Sequence, residues 1–210
     1  IPCWDKDLSR YVYSSYIASY HPFHLYMDEL PAWDGRDRLT ALALRVSCRP
    51  LWVQGFHTWM LGLASQWMDQ SVLHANSVAP ILVSREQGRR KSTFCRSLMP
   101  DVLMRYYTDN LKLTSQGQAE RLLAEMGLLN MDEFDKYAEN KMPLLKNLMQ
   151  MSALNIRKAY QQNFRQLPRV ASFIGTSNRF DLLTDPTGSR RFLCVEVKHD
   201  IDCTHIEHDQ

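Results

Sequence analysis

Two hundred and ten residues, 45% hydrophobic and 23% charged, suffice for one sizeable domain with at most a small appendage, and exclude a disordered, collagen-like or coiled-coil chain. Twenty-five Lys and Arg against 23 Asp and Glu leave a net charge of +2, so any basic surface for nucleic acid must be local. Five cysteines without tight spacing argue against a disulfide framework. The most apolar stretch, residues 51–68, is broken by Gln54, His57 and Gln66 and is too polar and short to span a bilayer. No basic-then-apolar leader opens the chain, which reads as cytoplasmic with no membrane partner. Its start at Ile1 and its polar finish, Lys198 to Gln210, read as those of a piece of a longer polypeptide.

Residues 1–75 read as a helical N-terminal subdomain. Residues 21–30 carry Phe23, Leu25, Tyr26, Met27 and Leu30 at mixed helical spacing, and Pro31 to Gly35 reads as a turn with a positive φ at Asp34-Gly35. Leu39, Leu42, Ala43 and Val46 fall on one helical face. Trp52, Phe56, Trp59, Leu63 and Trp67 repeat that pattern, and the spacing makes the aromatic stripe core rather than a base-stacking surface. After residue 77 the pattern changes. Apolar runs at 78–83, 127–131, 170–174 and 191–197 have strand length, and helical segments at 92–98, 118–126 and 142–151 lie between them. Strands alternating with helices imply an α/β fold with a mainly parallel sheet covered on both faces. Its chemistry then belongs beyond the carboxyl ends of the strands.

The loop after the first strand reads Ser84-Arg-Glu-Gln-Gly88-Arg-Arg-Lys91-Ser92-Thr93 and leads into a helix. A phosphate-binding Walker A loop needs backbone N–H groups around the phosphates, a lysine on the β- and γ-phosphates and a hydroxyl on Mg²⁺. Gln87, Gly88, Arg89, Arg90, Lys91, Ser92 and Thr93 are the candidate nucleotide-binding residues. Arg85 and Arg90 stand where the pattern has glycine, so a solvated basic loop is the competing reading. Leu128 to Glu133 is an apolar strand closed by two acids, the Walker B layout. The Ser92 hydroxyl would sit on Mg²⁺, Asp132 would hold the ion through water, and Glu133 would polarise the attacking water. Asn178 closes the third strand, where an amide can position a γ-phosphate or a water. Arg190 and Arg191 follow a tight turn and suit a transferring phosphate. Each element alone is common; their ordered appearance at successive strand ends is the signal.

These residues resemble the virulence-associated protein E family, similar to superfamily 3 helicases and phage-type primase–helicases. The matching stretches are Trp33-Asp-Gly35 with Arg38, the loop ending Lys91-Ser-Thr93, and Asn130 to Glu133. They continue with Phe173 to Asn178 and Asp185-Pro-Thr-Gly-Ser-Arg-Arg-Phe192, so the likeness runs over roughly residues 22–197. The resemblance implies an AAA+-like P-loop NTPase core, placed over 76–198; the polar composition of 199–210 reads as a tail. It further implies ATP and Mg²⁺ as cofactors, single-stranded or forked DNA as partner, and a homo-oligomeric ring, a hexamer. In that scheme Lys91 and Ser92 are the Walker A pair, Asp132 and Glu133 the Walker B pair, and Asn178 sensor 1. Arg190 or Arg191 is the finger acting on a neighbour's nucleotide.

Residues 154–169 interleave Arg157, Lys158, Arg165 and Arg169 with Tyr160 between two strand-like pieces. That suits a hairpin gripping phosphates and stacking a base, or equally a solvated basic hairpin. Superfamily 3 relatives carry a DNA-contacting hairpin at this place, and Arg157, Lys158 and Tyr160 are the candidates. Cys194, His199, Cys203, His205 and His208 match no paired-ligand spacing, so no metal site is expected there. The expected function is a DNA-coupled ATPase of helicase type. Its rivals are a non-hydrolysing nucleotide- or nucleic-acid-binding module with a degenerate loop, and a small-molecule kinase, for which no lid or pocket is visible.

Overall fold

The computed structural model describes residues 4–17, 20–69, 75–113, 116–137, 139–157, 164–183 and 190–208. Four helices come first: α1 (Asp5–Val12), α2 (Pro22–Asp28), α3 (Arg38–Leu44) and α4 (Pro50–Trp67). β1 (Ala79–Val83) leads into α5 (Lys91–Ser97), and β2 (Tyr107–Thr108) and α6 (Gln116–Glu125) precede β3 (Leu128–Met131). After α7 (Met142–Leu148) come the hairpin strands β4 (Ala153–Arg157) and β5 (Phe164–Pro168), then β6 (Ser172–Ser177) and β7 (Phe192–Glu196).

Five strands form one sheet in the order β2-β3-β6-β1-β7, and every neighbouring pair is parallel. The alternation of side chains along a strand splits the core in two. Leu82, Leu128, Ile174 and Val195 face α4 and α5, packing with Phe56, Trp59, Leu63 and Phe94. Ile81, Val83, Leu129, Met131 and Phe173 face the other way, against Leu123 of α6 and Leu145 and Leu148 of α7. Burial on both faces explains why these strands read as unbroken apolar runs. All five members of the α4 stripe are buried, so it is core. The helical segment therefore shares one core with the sheet.

Local chemistry fixes the helix starts. Asp37 caps α3 by accepting from Thr40 N at 2.9 Å, an end group that satisfies an otherwise orphaned N–H. Gly35 takes φ +83, as the Asp34-Gly35 turn requires. His21 accepts from His24 N at 3.3 Å, and His24 Nε2 lies 3.4 Å from Asp69 just beyond α4, closing the α2–α4 contact. β4 and β5 pair antiparallel with Arg157 opposite Phe164. Arg169, 2% exposed, anchors the foot of this hairpin through its N–H to Ser152 O.

Residues 199–208, expected as a polar tail, are packed against the fold. Ile201 is 1% exposed and belongs to the α4–α5 core. Arg45 donates to the carbonyls of Asp202 and Thr204. His208 contacts Ser97 O at 2.7 Å, and Arg38 pairs with Glu207. Among the described residues no helix is long and apolar enough to cross a membrane.

Candidate functional site

The register aligns Val83 with Ser177 and Met131 with Gly175, so β1, β3 and β6 end close together. The first residues beyond these ends meet in a polar cluster. Lys91, the first residue of α5, is 9% exposed. Its Nζ donates to Ser84 Oγ at 2.6 Å and to Asn178 Oδ1 at 2.9 Å. Ser92 Oγ donates to Asp132 Oδ1 at 2.6 Å, and Thr176 Oγ1 donates to the same oxygen at 2.6 Å. Four residues singled out in the sequence, Lys91, Ser92, Asp132 and Asn178, are thus drawn together from three separate segments.

Burial lowers the Lys91 pKa, and the nearby Asp132 and Asp135 carboxylates oppose that shift. Asp135 went unnoticed in the sequence, as did Ser84 and Thr176. Burial raises the Asp135 pKa, but bonds from Ser177 Oγ (2.8 Å) and Asn178 N (3.2 Å) outweigh it, and the net shift is downward. Asp135 is therefore a fixed anion that aims the β6 end rather than a proton donor. The signal available in the sequence was a third acid within four residues of Asp132.

The loop from 84 to 90 accommodates its two departures from the glycine pattern differently. Arg85 keeps a negative φ and lays its guanidinium over the Phe180 ring, 4.5 Å from the centroid. Arg90 takes φ +57 and ψ 25, a left-handed geometry that costs a non-glycine residue roughly 1–2 kcal/mol. Gly88 takes φ +82 at no such cost. Arg89, expected at the phosphates, is instead committed to Asp200 at 2.9 Å and to Glu86. Gln87, Gly88, Ser92 and Thr93 are exposed. A cleft of about 340 Å³ opens beside the loop, lined by Ser84, Arg85, Glu86, Arg89, Phe180 and Lys198 among others. A second, apolar cavity of about 650 Å³ between α2, α3, α4 and the 206–208 segment contains none of the clustered residues.

Glu133 also takes a left-handed geometry, φ 51. Its N–H reaches Thr176 Oγ1 at 3.2 Å, while its exposed carboxylate pairs with Lys136. Arg190 is exposed and Arg191 half-buried. Both precede β7, whose first residue lies opposite Ala79 at the start of β1, and Ala79 N donates to Arg191 O at 2.7 Å. The sequence set them in line with the other strand ends; the structure sets them at the amino edge of the sheet, roughly 15 Å of strand from the cluster. The side chain of Arg157 and all of Lys158, Tyr160 and the turn 185–189 lie outside the described residues.

The profile of the virulence-associated protein E-like domain matches residues 27–210. The chain belongs to that family. Three apo structures of the NrS-1 C-terminal region share the fold of this virulence-associated protein E-like domain, each at 18% identity and with TM-scores of 0.54, 0.55 and 0.56. They match 83%, 83% and 86% of this chain, which spans only 40%, 41% and 41% of theirs. No curated protein matches the chain. In this family member the Trp33-Asp34-Gly35…Arg38 stretch is a structural knot. Arg38 grips Asp34 with two bonds of 2.7 and 2.8 Å, and Trp33 Nε1 donates to Arg36 O at 3.2 Å.

Proposed function

We propose that this domain is a Mg²⁺-dependent P-loop ATPase of superfamily 3 helicase type, coupling hydrolysis to DNA binding or unwinding in phage-type or mobile-element replication. The observation that carries the reading is the meeting of Lys91 and Ser92 at the start of α5 with Asp132 and Asn178 from the two adjacent strands on one side of β1. The strand order, with the loop-bearing β1 between β6 and β7, supports it. Lys91 holds its ammonium with two neutral oxygens, which a phosphate oxygen displaces without breaking an ion pair. Ser92 and Asp132 are hard oxygen donors in contact, the donor set that suits Mg²⁺, and the ion there would neutralise phosphate charge. Asn178, on release from Lys91, is positioned to hold the γ-phosphate or a water. Glu133 must leave Lys136 to act as base.

The amino-edge position of Arg190 and Arg191 supports action in trans. In a head-to-tail ring one copy's amino edge faces its neighbour's carboxyl edge, so one site draws on two chains. The β4–β5 hairpin is the proposed DNA contact, through Arg157, Lys158 and Tyr160.

The strained Arg90 and the Glu133–Lys136 pair favour a second reading, a nucleotide-binding module that does not hydrolyse. Phosphate release measured with and without single-stranded DNA separates the two. The proposal predicts release stimulated by DNA. Nucleotide binding with no release in either condition would establish the module and end the motor reading.

A further inference from the structure

The loop before α5 lacks the glycine that would take a left-handed turn at position 90 without strain, yet Arg90 is held there. The 199–208 segment runs along α5 from one end to the other. At the amino end, Ile201 N donates to Arg89 O at 3.3 Å, Asp200 Oδ1 accepts from Arg89 Nη1 at 2.9 Å, and Cys203 Sγ stands 4.0 Å from Arg90 O. At the carboxyl end, His208 meets Ser97 O. The segment is itself fixed from behind. Ile201 is buried beside Phe94 and Cys95, Arg45 gathers the carbonyls of Asp202, Thr204 and His205, and His199 contacts Arg45 O at 3.2 Å. Both the backbone and the side chain of Arg89 are therefore tied to this strap, next to the strained residue. The carbonyl of Arg90 accepts the first helical bond of α5, from Phe94 N at 2.9 Å, so the turn at Arg90 sets where α5 begins and where Lys91 points.

We propose that the strap of residues 199–204 is a positioning device for the phosphate-binding loop, with Asp200 and Ile201 holding Arg89-Arg90 in the turn that glycine supplies in other loops of this kind. The ligand positioned is a nucleoside triphosphate, and in that respect the inference rests on the reading given above. Asp200 touches neither Lys91 nor Asp132; it acts through Arg89. The same tie removes Arg89 from phosphate binding, because its guanidinium is already matched by Asp200 and Glu86.

The coupling between positions 200 and 90 tests the device. Asp200 is exposed, so Asp200→Ala leaves the core intact, and Asp200→Asn serves as the near-isosteric second variant. Affinity for ATP with Mg²⁺ is measured by calorimetry on the wild type, Asp200→Ala, Arg90→Gly and the double variant. Asp200→Ala is expected to weaken binding about tenfold when Arg90 is present and about twofold or less in the Arg90→Gly background, because glycine reaches the turn unaided. Equal losses in both backgrounds would overturn the proposal, since a merely structural role adds independently of residue 90. Amide exchange in nucleotide-free protein is the second readout. Asp200→Ala and Asp200→Asn should both speed exchange at Ile201 and Phe94, and Arg90→Gly should restore protection at Phe94 but not at Ile201. Unchanged exchange in the Asp200 variants would overturn the strap even if ATP binds. Failure of the wild type to bind ATP would overturn the phosphate-binding reading, while the exchange pattern would still show whether the strap holds the turn.

Discussion

Two buried cations, Lys91 at the carboxyl edge of the sheet and Arg169 at the amino edge, are alike in setting and opposite in use. Among the described residues, neither side chain has a carboxylate hydrogen-bonded to it. Burial lowers the pKa of both, that of Arg169 to about 9. Arg169 spreads its guanidinium over the backbone carbonyls of Ala171, Leu148, Met149, Met151 and Asn76 and lies over the Phe173 ring. Those acceptors are fixed by the fold: the end of α7, the approach to β1 and the entry to β6. Lys91 is held instead by the side-chain oxygens of Ser84, whose hydroxyl also donates to Glu86 O at 2.7 Å, and Asn178, acceptors that a rotamer change can move. A buried charge satisfied by backbone is part of the architecture; one satisfied by movable side chains is available to a ligand.

The largest effects should come from the movable side. Lys91→Ala is expected to abolish ATP binding, whereas Glu133→Gln should bind ATP and lose turnover by about a hundredfold or more, because the lysine acts on the ground-state phosphates and the carboxylate on the water. Filter binding and phosphate release on both variants check this. Equal loss of binding would remove the distinction between the two roles.

Two further amino-edge cations extend the comparison. Arg190→Ala should lose about a thousandfold in turnover if the side chain reaches a neighbour's nucleotide. Mixing it equally with Lys91→Ala before assembly should then restore about a quarter of the interfaces by random assortment. Recovery above background is the measurement, repeated with Arg191→Ala to decide which arginine crosses. No recovery while wild-type chains exchange would confine the arginines to their own chain.

Arg169→Ala should act on stability instead, by about 2–3 kcal/mol, because it strands several buried carbonyls. Arg169→Lys should recover only part of that, since an ammonium cannot reproduce the planar fork. Urea unfolding midpoints report both. A loss of activity without a loss of stability would contradict the structural assignment.

The smallest effect is in the pH dependence. A lysine whose folded pKa is lowered gives up its proton in the native state before the unfolded chain does. Relative to Lys91→Met, wild-type stability should therefore rise as pH climbs from the folded pKa of Lys91 towards 10.5. ATP affinity should fall across the same window as the ammonium is lost. Stability and affinity moving in the same direction would rule out Lys91 as the phosphate cation.

The contrast also marks what the sequence disclosed. Lys91, Ser92, Asp132 and Asn178 were legible because each stands at the end of an apolar run or the start of a helix, where residue type and strand order suffice. The four longer strands of the parallel sheet were legible as apolar runs of strand length, and the helices from α2 to α7 by their spacing. β2, two residues long, is below any periodic signal. Ser84, Thr176 and Asp135 matter through where their side chains point, which spacing does not encode. The edge position of Arg190 and Arg191 depends on strand direction, which pairing decides. The 199–208 strap looked like solvated chain because one buried residue, Ile201, and a set of backbone carbonyls hold it, and carbonyls leave no mark in a sequence.

The most direct test of the account is a structure of the domain with Mg²⁺ and a non-hydrolysable ATP analogue. The account predicts phosphate oxygens within hydrogen-bond reach of Lys91 Nζ, with Ser84 and Asn178 released from it, Mg²⁺ between Ser92 and Asp132, and Arg89 still paired with Asp200. Nucleotide bound elsewhere, with Lys91 still held by Ser84 and Asn178, would contradict it.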